Sequence, residues 1–98
     1  MLLFKASEGP EEKGRRSYPV GGKQGVLHHF ALRVTTPANP FGPHTHAGEE
    51  LWYIVEGQAV ASVGGEEQVV GAGDLVVLPS QVEHGLRTDG QVTWICLG

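Results

Sequence analysis

His44 and His46 stand one residue apart, and Glu49-Glu50 follow at once, just ahead of the apolar run "LWYIV". Imidazole and carboxylate groups gathered this closely can hold a divalent metal or move protons. On an extended strand side chains alternate faces, so His44 and His46 point the same way, with Cα atoms about 6.6 Å apart. Two imidazoles at that separation can lean onto one ion through bonds of about 2.1 Å. Glu50 has the same parity, but a straight strand leaves it about 13 Å from His46. It reaches the same ion only if the chain turns, and Ala47-Gly48 is the expected turn, because glycine accepts dihedrals that other residues resist. A polar loop with a solvated Glu50 is the alternative reading of the same residues. Glu49, of opposite parity, is expected to face solvent.

The elements that must position these groups read as strands. Fifteen glycines and six prolines punctuate the 98 residues, and the segments between them are rich in Val, Leu, Ile and aromatics, with no helical periodicity. Val26–Thr35 alternates, placing Val26, His28, Phe30, Leu32 and Val34 on one face. "LWYIVEG" and "QAVASV" meet at a turn around Glu56-Gly57. "GGEE" separates Val63 from the next strand, "GAGD" leads into "LVVLP", and "VTWICL" (Val92–Leu97) closes the chain. Many short strands spaced by turns predict an all-β sandwich or barrel, and closure removes exposed edges. Residues 1–24 are the least patterned and are expected to form an arm or an edge strand, leaving 25–98 as the barrel domain.

Ninety-eight residues make one domain. Net charge is −4, which gives no reason to expect nucleic acid as a partner. "MLLF" is too short for a signal peptide or a membrane span. The single cysteine, Cys96, cannot close a disulfide within the chain, so a cytoplasmic location is expected. Cys96 reads as a small buried hydrophobe with no basic cluster to activate it. The basic residues fall mostly before Val34, and "EEKGRRS" reads as a solvated arm.

Together, "HTHAGEELWYIVEG" and "GDLVVLPSQVEHGLRT" resemble the two motifs of the cupin superfamily. His44, His46, Glu50 and Gly57 fall on the first, which runs H-x-H, three or four residues, Glu, six residues, Gly. Gly73, Pro79 and His84 fall on the second. Three positions depart from the pattern: Ala38 and Gln81 stand where the family has glycine, and Thr88 where it has asparagine. None of these is a metal ligand. The resemblance implies a small β-barrel of jelly-roll type in which His44, His46, Glu50 and His84 bind one divalent transition metal (Fe, Mn, Ni, Cu, Co or Zn). Three imidazoles and one carboxylate are too rich in nitrogen for Ca or Mg.

Trp52 and Ile54 share the parity of Glu50, so they are expected to line an apolar pocket beside the metal, while Tyr53 and Val55 face outward. His28 is read as a core histidine, with a catalytic proton shuttle as the less favoured role, and His29 as exposed. Trp94 belongs to the core. The function expected is that of a metal-dependent enzyme (dioxygenase, decarboxylase or isomerase) acting on a small oxygen-rich molecule. The alternative is a non-enzymatic module that binds a metal or small ligand. Thiol dioxygenases typically lack the glutamate that Glu50 supplies, and bicupin decarboxylases carry two such barrels. A homodimer is expected through outward apolar surfaces such as Tyr53 and Val55.

Overall fold

The computed structural model describes residues 1–98. After one 3-10 turn (Ala6–Glu8) come nine strands: β1 (Arg15–Tyr18), β2 (Phe30–Thr35), β3 (Phe41–His44), β4 (Glu50–Glu56), β5 (Gln58–Val63), β6 (Glu66–Gly71), β7 (Leu75–Leu78), β8 (His84–Arg87) and β9 (Val92–Leu97). They form two antiparallel sheets, ordered β1-β2-β9-β4-β7 and β3-β8-β5-β6. The architecture is all-β and of jelly-roll type, as expected, with the barrel built from two sheets rather than one continuous ladder. No helix is long and apolar enough to cross a membrane.

Alternation along each strand builds the core. On β4, Trp52 and Ile54 have no exposed surface, while Tyr53 and Val55 are more than 40% exposed. On β9, Val92, Trp94 and Cys96 point inward, and the register pairs Trp52 with Cys96 and Ile54 with Trp94. Phe41, Trp52 and Trp94 meet edge-on or tilted, with centroids 4.8–5.5 Å apart. Each buried indole contributes on the order of 4–6 kcal/mol at ~25 cal/mol per Å². The Trp94 indole N–H donates to Thr35 Oγ1 (3.0 Å), so this core tryptophan leaves no polar atom unpaired.

Two expectations need correction. The strand drawn over Val26–Thr35 begins only at Phe30, and its inward face is the odd one. Ala31 and Thr35 are buried, whereas Val26 is 83% exposed. Pairing with β9 sets this: Ala31 lies opposite Cys96 and Arg33 opposite Trp94, and β9 must bury its even residues. A shift of one residue exchanges the faces of a strand. Phe30, Leu32 and Val34 therefore sit on the outer face, where Tyr18 of β1 packs edge-on against Phe30 at 5.6 Å. The second correction is smaller: the turn after Val63 is Gly64-Gly65 alone, and Glu66 and Glu67 already belong to β6. From the N-terminal segment, β1 adds the edge strand of the five-stranded sheet.

Candidate metal centre

One end of the sandwich collects the chemistry. β3 ends at His44, β4 begins at Glu50, β8 begins at His84, and β9 brings Cys96 toward the same end. His44 and His84 are direct cross-strand partners. His46 lies beyond β3, so it joins through the loop and not by strand alternation as the spacing suggested. Gly48, at φ +94°, makes the turn that returns the chain to Glu50. That loop is fastened to the one after β7: Gly48 N–H donates to Ser80 Oγ (2.9 Å) and Gln81 N–H to the His46 carbonyl (3.0 Å). Gln81 adopts φ +65°, so it takes the left-handed conformation of the glycine it replaces in the motif.

His44, His46 and His84 offer ring nitrogens within 4.8 Å of one another. The His84 centroid lies 4.6 Å from that of His44 and 4.7 Å from that of His46. Glu50 is held separately. Its Oε1 accepts from the Trp52 indole N–H (2.7 Å) and the Cys96 thiol (2.9 Å). Its Oε2 faces His46 Nε2 at 3.1 Å and His29 Nε2 at 3.4 Å. Glu50, His29 and Cys96 thus form a second close triad, and Glu50 meets the imidazole cluster through His46.

The donor chemistry fits a transition metal. His84 Nδ1 lies 2.9 Å from the Val82 carbonyl and His46 Nδ1 lies 3.1 Å from that of Ala47. A carbonyl only accepts, so His84 Nδ1 carries the proton and its Nε2 presents a lone pair, the arrangement that orients histidine ligands, whereas His46 Nε2 faces the Glu50 carboxylate. His84 is 2% exposed, and its Nε2 has no hydrogen-bond partner. Leaving such a buried atom unsatisfied costs about 1–3 kcal/mol, and a metal ion among the three imidazoles would remove that cost.

Electrostatics keep Glu50 ionised. Burial pushes its carboxyl up, but hydrogen bonds from Cys96 and Trp52, with His46 and His29 facing it, bring the net value below the usual range. The Cys96 thiol is pushed up to about 12, by burial and then by its hydrogen bond to the Glu50 carboxylate. It therefore stays a neutral donor. His44 is held below its ordinary value by desolvation and by His84 and His46.

Both depressed groups bind protons more readily in the unfolded chain, so acid favours unfolding. The His44 contribution is present above about pH 6.5 and is lost as pH falls toward the lower folded value. That of Glu50 is lost further into acid, below its ordinary carboxyl range. Urea titrations of the metal-free protein should show the midpoint falling between pH 7.5 and 5. The decline in this interval should be under ~1 kcal/mol, because His44 sits at a solvent-screened rim, and His44→Gln should flatten it. A midpoint constant over that interval would contradict the assignment.

A cavity of about 490 Å³ opens beside the cluster, lined by His44, His46, Glu50 and Cys96 together with Arg15, His28, His29 and Arg33. Most of its lining residues are polar or charged, and neither Trp52 nor Ile54 lines it as expected. Trp52 and Ile54 lie deeper, fully buried in the core, and Trp52 reaches the site through its indole N–H and through its ring, which packs edge-on against His84. His28 is exposed at the rim, not in the core, and its neighbour His29 is the imidazole that faces Glu50. Sequence reading missed His29 and Arg33 because it chose the apolar face of "HHFALRVT" as the inner one; the odd parity of that stretch was the available signal. At the opposite end, a groove of about 450 Å³ around Gln58, Thr88 and Gln91 carries no histidine.

The family model described as a cupin domain matches residues 28–98. Among solved structures, a Thermotoga maritima protein described as a predicted oxalate decarboxylase superposes with a TM-score of 0.80, covering 98% of this chain and 96% of its own at 22% identity. An RmlC-like cupin from Shewanella frigidimarina gives 0.75 at 17% identity, covering 99% and 88%. A cupin 2 conserved barrel domain protein from Salinispora arenicola gives 0.72 at 22% identity, covering 99% and 85%. At these identities the likeness speaks for the fold. No curated protein matches the chain significantly.

Proposed function

Since the chain belongs to the cupin family, we propose that it is a metal-dependent enzyme (a dioxygenase, decarboxylase or isomerase) acting on a small oxygen-rich molecule held in the His-lined cavity. The observation that carries this reading is His84 Nε2, buried, unpartnered and grouped with His44 and His46. His44, His46, His84 and Glu50 would hold one divalent transition metal, which when bound supplies Lewis acidity or oxygen activation. The chain's own groups do the rest. The Val82 and Ala47 carbonyls fix two ring orientations, and Trp52 and Cys96 keep Glu50 ionised and aimed. His29, 3.4 Å from Glu50 Oε2, is placed to exchange a proton with that carboxylate.

The test is elemental analysis of anaerobically purified protein, then a screen of small oxygen-containing acids, sugars and enediols with the iron-, manganese-, nickel- and zinc-loaded forms. Turnover lost on chelation is expected. Turnover that survives chelation would overturn the mechanism, and binding without turnover across the panel would assign a ligand-binding module instead.

The outer sheet face supports a homodimer, and the reading includes one, in the cytoplasm. Tyr53 lies opposite Leu75 in the β4–β7 register, and Tyr53, Val55, Leu75 and Val77 are 42–60% exposed. A twofold pairing would cover this patch and protect the sheet edges. Light scattering at micromolar concentration should return twice the chain mass, reverting to one chain in the Tyr53→Glu/Leu75→Glu double variant. A monomeric wild type would refute the pairing.

A further inference from the structure

Two arginines line the cavity without a direct ion pair. In the β1–β2 register Arg15 is the direct partner of Arg33, on the inward, odd-numbered face. Like charges directly opposite on a ladder repel and destabilise the pair. Sequence alternation alone would carry no such penalty if either side chain were turned to a carboxylate, but neither forms an ion pair. The salt bridges of the molecule are His29–Glu50, His46–Glu50 and Arg87–Glu67. The nearest acid, Glu50, is already committed to Trp52, Cys96, His46 and His29.

Arg33 is also fixed in place. Its guanidinium carbon lies 4.6 Å from the Phe41 ring centroid and 5.7 Å from that of Trp94, a stacking that holds the planar fork without using its N–H donors. Its Nε is buried and has no hydrogen-bond partner. Desolvation, and next the charge of Arg15, lower its proton affinity. A cation held rigid, partly desolvated, opposed by a second cation and short of acceptors is built for an anion that is not part of the chain.

We propose that Arg33, assisted by Arg15, forms a carboxylate-binding subsite beside the imidazole cluster, so that the cavity takes a small organic acid, oriented with one carboxylate on the guanidinium fork and its other oxygens toward His44, His46 and His84. The proposal deepens the enzymatic reading and rests on it for the second half of that orientation. Charge balance agrees. Of the residues lining the cavity, two arginines offset Glu49 and Glu50, which leaves the charge of a divalent ion for the ligand to neutralise. A neutral sugar or diol could accept hydrogen bonds from Arg33 but would leave that charge unmet.

Malonate and its neutral isostere malonamide separate the possibilities, measured by calorimetry and by thermal melts on the metal-free and the manganese-loaded full chain. Malonate should bind the loaded protein at least about tenfold more tightly than malonamide, about 1.4 kcal/mol, and should raise the melting temperature. Arg33→Gln should lose that preference and that shift while its manganese content, read by elemental analysis, stays at the wild-type level. Arg15→Gln should weaken malonate less. In the absence of anion it should melt no lower than wild type, because a repulsion has been removed. Arg33→Lys, which keeps the charge without the fork, should recover binding only in part.

Malonate binding equal to wild type in Arg33→Gln, or equal affinity for malonamide and malonate, would overturn the subsite. If Arg33→Gln melts too low to test, Arg15→Gln decides, and unchanged malonate affinity there counts against the proposal. Failure of the metal reading looks different: no manganese bound by wild type, with malonate still held in an Arg33-dependent way by the metal-free chain, which supports the subsite on its own.

Discussion

Elemental analysis of His84→Ala should return a protein stripped of its divalent metal, where wild type carries about one equivalent per chain. The side chain is 2% exposed, its Nδ1 is tied to the Val82 carbonyl, and its Nε2 has no partner other than an ion to satisfy it. Groups that merely orient a metal ligand are worth about 10–100-fold in affinity, so removing a ligand should cost more than ~100-fold. The substitution also leaves a hole beside Trp52, whose ring centroid lies 5.4 Å from that of His84, and some stability will be lost with it. His46→Ala is the cleaner partner experiment, since His46 lies in the rim loop outside the core. It should lose metal with little change in the far-ultraviolet spectrum. Glu49→Ala, at an exposed position, should keep metal near the wild-type level. Unchanged metal content in both histidine variants would remove the assignment.

The largest effect on stability is expected at Gly57. This residue joins β4 to β5 at φ +92°. A Cβ there would press on the Gln91 carbonyl oxygen and come within 3.0 Å of the Val92 Cα. Both obstacles are backbone, so no rotamer change relieves them. Left-handed strain alone costs about 1–3 kcal/mol, and the enforced displacement of β9 should bring Gly57→Ala to about 3–5 kcal/mol, a large part of the 5–15 kcal/mol that holds a domain folded. Gly65→Ala is the control. Gly65 has a similar φ of +86° but nothing within 4 Å of the added carbon, so it should cost only about 1–2 kcal/mol. Urea midpoints of the two variants read the difference. Equal losses would mean that the close approach of Gly57 to β9 is not what the glycine serves.

Several features were legible before any coordinates. Local alternation in "LWYIVEG" placed Trp52 and Ile54 inside, because a strand with one buried face must repeat every two residues, and Trp94 was read as core. Gly57 and the Ala47-Gly48 turn were visible for the same local reason, since a backbone conformation near φ +90° leaves its mark as glycine. Spacing raised the grouping of His44 and His46 with Glu50 beside a polar-loop alternative, and the resemblance of the two stretches to known motifs implied it and added His84.

What remained hidden depended on which strand lies beside which. "HHFALRVT" has two plausible faces, and hydrophobicity favoured Phe30, Leu32 and Val34 as the inner one. Those residues are apolar because the outer face of the five-stranded sheet is itself covered in part, by Tyr18 against Phe30. The true parity is imposed by β9, which lies opposite β2 through Ala31–Cys96 and Arg33–Trp94, some 60 residues away along the chain. That choice alone turned His29 rather than His28 toward Glu50 and set Arg33 into the cavity lining. The sequence by itself determined the strands, their turns and the types of ligand group available, because those are set within a few residues of each position. Only the tertiary structure decided which of those groups share one space, because register between distant strands is fixed by mutual burial and not by either strand alone.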